Sequence, residues 1–144
     1  MSPTTNLTTP PTAWPQVTVG GRTYELRFDQ LTYFLASEWH CSMGSLIAVA
    51  TNQKATIGEA YSSVLKLWAL FAARNFKSPE VPLTGEQWAL ALPDEDDFTT
   101  WKVMHQGVIN CLAKHLADRT AKQAAANPNP PNETTGQPNL NAIN

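Results

Sequence analysis

The run from Thr56 to Phe76, TIGEAYSSVLKLWALFAARNF, constrains this chain more than any other stretch. Ile57, Tyr61, Val64, Trp68 and Phe71 step by 4, 3, 4 and 3 residues, which sets them on one face of an α-helix. Between Val64 and Ala73 the only polar side chain is Lys66, so the second half of the helix is apolar nearly all round. In a water-soluble fold such a helix is central, covered from several sides. Its start is also written: Thr56 and Glu59 form a T-x-x-E capping box.

Upstream, QVTVGGRTYELRFD predicts a β-hairpin. Val17 and Val19 alternate with polar residues on one strand, and Tyr24, Leu26 and Phe28 do so on the other. Gly20-Gly21 supply the positive φ angles of a two-residue turn. That turn pairs Val19 with Arg22 and Val17 with Tyr24, and all the apolar side chains then share a face. A lone hairpin is marginal in water, so this face must lie on helices or on another chain.

Further helices follow from caps and periods. Asp29 caps a helix whose buried side is expected to be Leu31, Phe34, Leu35 and Trp39, with Phe28 and Tyr33 stapling its entry and fraying near Cys41. Ser42 caps a short helix with Met43, Leu46, Ile47 and Ala50 inward. After the proline-containing crossing KSPEVPL, Thr84 and Gln87 form a second capping box, with Leu83 and Trp88 at its staple positions. Pro93 ends that helix at Leu92. Asp94-Glu95-Asp96-Asp97 then open the last helix, complementing the positive end of its dipole. Phe98, Trp101, Met104, Val108, Cys111, Leu112 and His115 keep helical spacing there, and Gly107 marks a weak point or a close helix contact. The expected fold is mainly α: an N-terminal β-hairpin and about five helices in one domain over residues 16–122. Residues 1–15 read as a flexible arm that first touches the fold at Trp14, and the Pro/Asn-rich residues 123–144 as a disordered tail.

Composition narrows the function classes. The net charge is −2 and the ten basic residues are scattered, so no concentrated basic face for nucleic acid is written. The first ten residues lack the basic and apolar regions of a secretory signal, and the apolar helix is too short and too interrupted for a membrane span. Charged residues make up only 15% of the chain, which leaves room for apolar area facing outward at a partner site.

Reactive constellations are weak. His40, Cys41, Cys111 and His115 could be arranged around zinc, since Cys111 and His115 lie one helix turn apart. Adjacent His40-Cys41 is poor geometry for one tetrahedral ion, and both cysteines fill positions the apolar period would fill anyway. Cys111 with His115 or His105 as a nucleophile pair lacks an orienting third group. The four carboxylates at 94–97 have the spacing of a helix start, without the glycine and distal glutamate of a calcium loop. The five tryptophans read first as core anchors. Neither a metal, a cofactor nor a catalytic residue is assigned, and the chain is read as non-enzymatic.

Two stretches together resemble the tail assembly chaperones of long-tailed bacteriophages. VTVGGRTYELRFDQLTYFLASEW is similar to that family's opening, a glycine turn followed by K/R-x-Y-x-L-R-F-D and a helix. LWALFAARNFKSPEVPLTGEQWALAL is similar to its apolar helix, short connector and L-T-x-E-x capped helix. The likeness runs from about Val17 to Leu92, in the family's order. Of the acidic Leu-Glu-Glu usual in the family's first helix only Glu38 matches, and residues 94–122 have no counterpart. The resemblance implies a non-enzymatic protein of the infected host's bacterial cytoplasm that binds the tape-measure and tail-tube proteins during tail assembly, and it leaves a homo-oligomer open. Tyr24, Leu26 and Phe28 are the candidate protein-binding residues, unless they are simply core. The rival readings are a small structural virion protein, such as a tail-end or head–tail connector component, and a small zinc-binding module or enzyme.

Overall fold

The computed structural model describes residues 13–77, 81–92 and 98–126, and the Thr56 capping box forms as its spacing predicts. Thr56 Oγ1 accepts from Glu59 N–H at 3.2 Å, and Glu59 Oε1 accepts from Thr56 N–H at 2.7 Å. The elements in chain order are strands β1 (Gln16–Val19) and β2 (Arg22–Glu25), then helices α1 (Gln30–Glu38), α2 (Met43–Ala50), α3 (Ile57–Ala72), α4 (Gly85–Ala91) and α5 (Thr99–Ala126). The protein is therefore mainly α with an N-terminal antiparallel hairpin, the architecture its sequence predicts.

Helix α3 is the axis of the core. Val64, Leu65, Leu67, Trp68, Leu70 and Phe71 are all buried, and Lys66 alone in that half reaches solvent. Helices α2, α4 and α5 pack on it, and the hairpin closes another side. The helix stops at Ala72 and tightens into a 3₁₀ turn, Ala73–Asn75, rather than continuing to Phe76. The cause is Asn75, whose side-chain N–H donates to Ala72 O at 2.9 Å and to Glu25 O at 2.8 Å. Glu25 N–H in turn donates to Asn75 Oδ1 at 2.9 Å. A local side chain thus competes with the helix ladder and ties its end to β2.

The hairpin has the expected register, Val19 opposite Arg22 and Val17 opposite Tyr24, with Gly20 and Gly21 at φ 60° and 81°. Its apolar face lies on α3 and α5. The close approach at Gly107 is to the hairpin. A Cβ there would stand 2.6 Å from Val17 Cγ2 and 3.0 Å from Leu26 Cδ1. Trp14 and Pro15, placed in the arm by the sequence, already belong to the fold: Leu26 N–H donates to Pro15 O at 2.9 Å, and Lys114 Nζ sits 5.5 Å from the Trp14 ring centre.

Three expectations are corrected. In α1 the fully buried residues are Thr32 and Ala36, while Phe34 is 60% exposed. Thr32 is the reason: its hydroxyl donates to Arg27 O and accepts from Asp29 N–H, both at 3.0 Å, which turns that side of the helix inward. Phe98 stays outside α5 at φ 66° and is 45% exposed, its ring edge-on to Tyr61. The last helix runs to Ala126, four residues beyond Lys122, because AKQAAA is made of strong helix formers. The Asp94–Asp97 opening of that helix and most of the two expected tails lie outside the described residues. The second capping box forms, with Gln87 N–H donating to Thr84 Oγ1 at 3.3 Å, and Leu92 is extended as a residue before proline should be.

Gly107→Ala is expected to destabilise the fold by about 1 kcal/mol in urea unfolding, because β-branched Val17 has little room to yield and overpacking outweighs the gain in helix propensity. Gly44→Ala, where a Cβ meets nothing within 4 Å, is the control and is expected to be neutral or stabilising. Equal effects at the two positions would contradict the close-approach account.

Candidate partner-binding groove

The hairpin residues singled out as a gripping face are buried. Tyr24, Leu26 and Phe28 are 7%, 0% and 6% exposed. Tyr24 sets its ring edge-to-face with Trp68 and Trp88, at centroid distances of 5.8 and 5.3 Å. Phe28 lies between Phe71 and His115, stacked on the imidazole at 3.9 Å and 10°. A two-stranded ribbon needs its apolar face covered, and α3 and α5 cover it. In this fold these three side chains offer a partner almost no area.

The titratable candidates are dispersed. Among the described residues no three of His, Cys, Asp and Glu come close enough to hold a metal ion. Cys111 is fully buried, and burial first and the charge of Asp29 second push its thiol far above the usual thiol range. Cys41 is half-buried with Sγ directed at Trp39 O. His40 sits at φ 55° as the left-handed residue ending α1, with Cys41 N–H donating to Ala36 O and its own N–H to Ser37 O. His105 Nε2 lies 2.9 Å from Ala50 O, which fixes the proton on that nitrogen. Each group has a structural role where it stands.

Exposed apolar surface is found elsewhere. Helices α2 and α5 both pack on α3 and approach each other at few points, among them the His105–Ala50 hydrogen bond, which leaves a trench between them. Its cavity is about 500 Å³, walled by Met43 and Ile47 on one side and by Ile109, Leu112 and Leu116 on the other. Leu116 is 64% exposed at its lip, and Tyr33 of α1, 52% exposed, closes one end. Beyond Tyr33 and His115 a second hollow of about 540 Å³ continues toward Trp14 and the end of α5. Phe28, Tyr33, His115 and Arg119 line both, so the two hollows adjoin across these side chains, the second forming the polar end of the groove.

The polar end of this groove is electrostatically lopsided. Its two carboxylates already have cations: Asp29 pairs with Arg74, and Asp118 with Lys114 at 2.9 Å. Arg119 and Lys122 line the same hollow with no carboxylate partner among the described residues. His115 adds no charge near neutrality. Its pKa is lowered from the ordinary 6.5 by burial first and by Arg119 next. Helical period places Met43, Ile47 and Leu112 on the inward sides of their helices, but the gap between two helices is a property of their mutual placement. Neither family models, curated proteins nor solved structures return a match to this chain.

Two outcomes follow from the burial of these groups. With native protein, a thiol reagent such as DTNB is expected to titrate Cys41 readily and Cys111 only after unfolding, whereas two fast thiols would contradict the burial of Cys111. For His115 the unfolded chain binds the proton more tightly, so stability is lost as pH falls below about 6.5 toward the folded-state value. His115→Phe, which keeps a ring over Phe28, is expected to lose less stability than the parent between neutral and mildly acidic pH. Identical acid profiles for the two would contradict the assignment.

Proposed function

We propose that this protein is a non-catalytic assembly chaperone for a long helical polypeptide, and specifically a tail assembly chaperone of a long-tailed bacteriophage. The observation that carries the binding role is the groove between α2 and α5, an open apolar trench lined by Met43, Ile47, Leu112 and half-exposed Leu116. A trench of that kind is suited to the apolar stripe of an amphipathic helix, engaged through anchors at i, i+3 or i+4, and i+7. Apolar surface exposed beside a well-filled core is a mark of an interaction site rather than of a packing fault. No helix among the described residues is long and apolar enough to cross a membrane, in keeping with work in the host cytoplasm.

The phage assignment rests on the sequence resemblance. Its motifs, RTYELRFD in the hairpin and LTGEQW at the second capping box, fall on elements that fold as that resemblance implies. The clients are then the tape-measure and tail-tube proteins.

Co-expression with the tape-measure protein of the same genome is expected to keep that protein soluble and to yield a complex with this chain. Leu116→Asp, at an exposed position where folding stability should change by less than about 0.5 kcal/mol, is expected to abolish the complex. Mass spectrometry of purified particles is expected to lack the chain. Its stoichiometric recovery from particles would instead make it a structural component.

A further inference from the structure

We infer that the occupant of the α2–α5 groove is an amphipathic helix that carries carboxylates in the turn flanking its apolar stripe, and that Arg119 and Lys122 receive them. This rests on the proposed reading of the trench as a helix-binding site and adds the chemistry of the helix it selects. The trench proper is lined mainly by apolar side chains, with Thr51 and His115 among them and Arg119 bringing the positive charge. In the adjoining hollow past Tyr33, Asp29, Asp118 and Lys122 join Arg119 in the lining. Both acids there are neutralised by cations of their own, Arg74 and Lys114, so the surplus at that end is two positive charges. His115 stands between the apolar and basic parts and is held neutral by burial among them.

Complementarity then fixes what fits. A helix with an apolar stripe and a lysine or arginine in the flanking turn would bring its cation against Arg119 and Lys122, with no unpaired acid among the described residues of the groove to offset it. A neutral flank would leave the pair as they are. An acidic flank gains two charge-assisted contacts at the rim, where steering and choice of partner are decided more than gross affinity. Glutamate or aspartate in the first turn of the bound helix also suits that helix's own dipole, so the client segment loses nothing by carrying them.

The test uses the full chain and a fluorescein-labelled synthetic peptide of about 18 residues, long enough to be helical when bound, with leucines at i, i+3, i+4 and i+7. Three versions differ only in the first turn, which carries two Glu, two Gln or two Lys. Anisotropy titration at low salt is expected to rank them Glu over Gln over Lys, with the Glu peptide binding about three- to tenfold more tightly than Gln. The advantage should collapse in the Arg119→Gln/Lys122→Gln double variant, and again at high ionic strength. Leu116→Asp should lose all three peptides.

Equal binding of the three versions, abolished by Leu116→Asp, would overturn the acidic preference and leave the groove as a helix site. Binding of all three that Leu116→Asp leaves unchanged would overturn both. No binding by any version, with the chain dimeric by light scattering and Leu116→Asp returning it to monomer, would overturn the proposal in favour of a second copy as the occupant. No binding by any version with the chain monomeric would likewise overturn it, and a tape-measure complex still formed under those conditions would keep the chaperone reading separate.

Discussion

A helix that shows water a single side chain, Lys66, along its second half sets the terms for every other element. From Val64 to Phe71 the side chains of α3 point in all directions and almost all are apolar, so the free energy of leaving any flank open is large. The chain answers with a different cover for each flank: α2, α4, α5 and the hairpin. Trp68 is the centre of this arrangement, with Tyr24 of the hairpin and Trp88 of α4 both set edge-to-face against it. The indole N–H groups of Trp68 and Trp88 are both buried within this packing, with no acceptor among the described residues. Glycine at 107 is what allows the hairpin to come close enough to share the task with α5.

Local rules were legible in the sequence wherever the partners lie within a few residues. The two capping boxes, the Gly20-Gly21 turn and the strand register depend on spacing alone, and all of them form. Expectations failed where a distant or unusual contact decides. Helical period assigned Phe34 inward, but Thr32 with its bonds to Arg27 and Asp29 rotates α1 so that Phe34 faces out. The end of α3 is set by Asn75 reaching back to Glu25, fifty residues away in sequence. Cys41 and Cys111 read more readily as small hydrophobes than as zinc ligands, and the burial of Cys111 and the turn at His40 place them.

The candidate site was the least legible part, for a related reason. Hairpin residues looked available because a two-stranded ribbon has an apolar face to cover, and nothing in a linear pattern says whether the cover is internal. It is internal here. The trench, by contrast, is made largely of residues that look like ordinary core, Met43 and Ile47 on one helix and Leu112 on another, with exposed Leu116 a turn further on. Only the separation of α2 from α5 turns them into a surface. The family resemblance covers the hairpin, α3 and α4, which build the frame, whereas one wall of the trench belongs to α5, where the resemblance carries no counterpart. The frame and this wall of the trench are thus written in different parts of the chain.

The reach of Asn75 into β2 has a bearing on how such a protein behaves when crowded. Glu25 presents both of its main-chain groups to the outside of the ribbon, and the carboxamide of Asn75 takes both. Two residues on, Arg27 N–H is taken by Phe71 O. An invading strand therefore finds those rungs of the ladder already filled, and would have to evict them before it could begin to add on. A polypeptide whose proposed work is to keep another from sticking has the Glu25 end of its own sheet margin closed against the same fate.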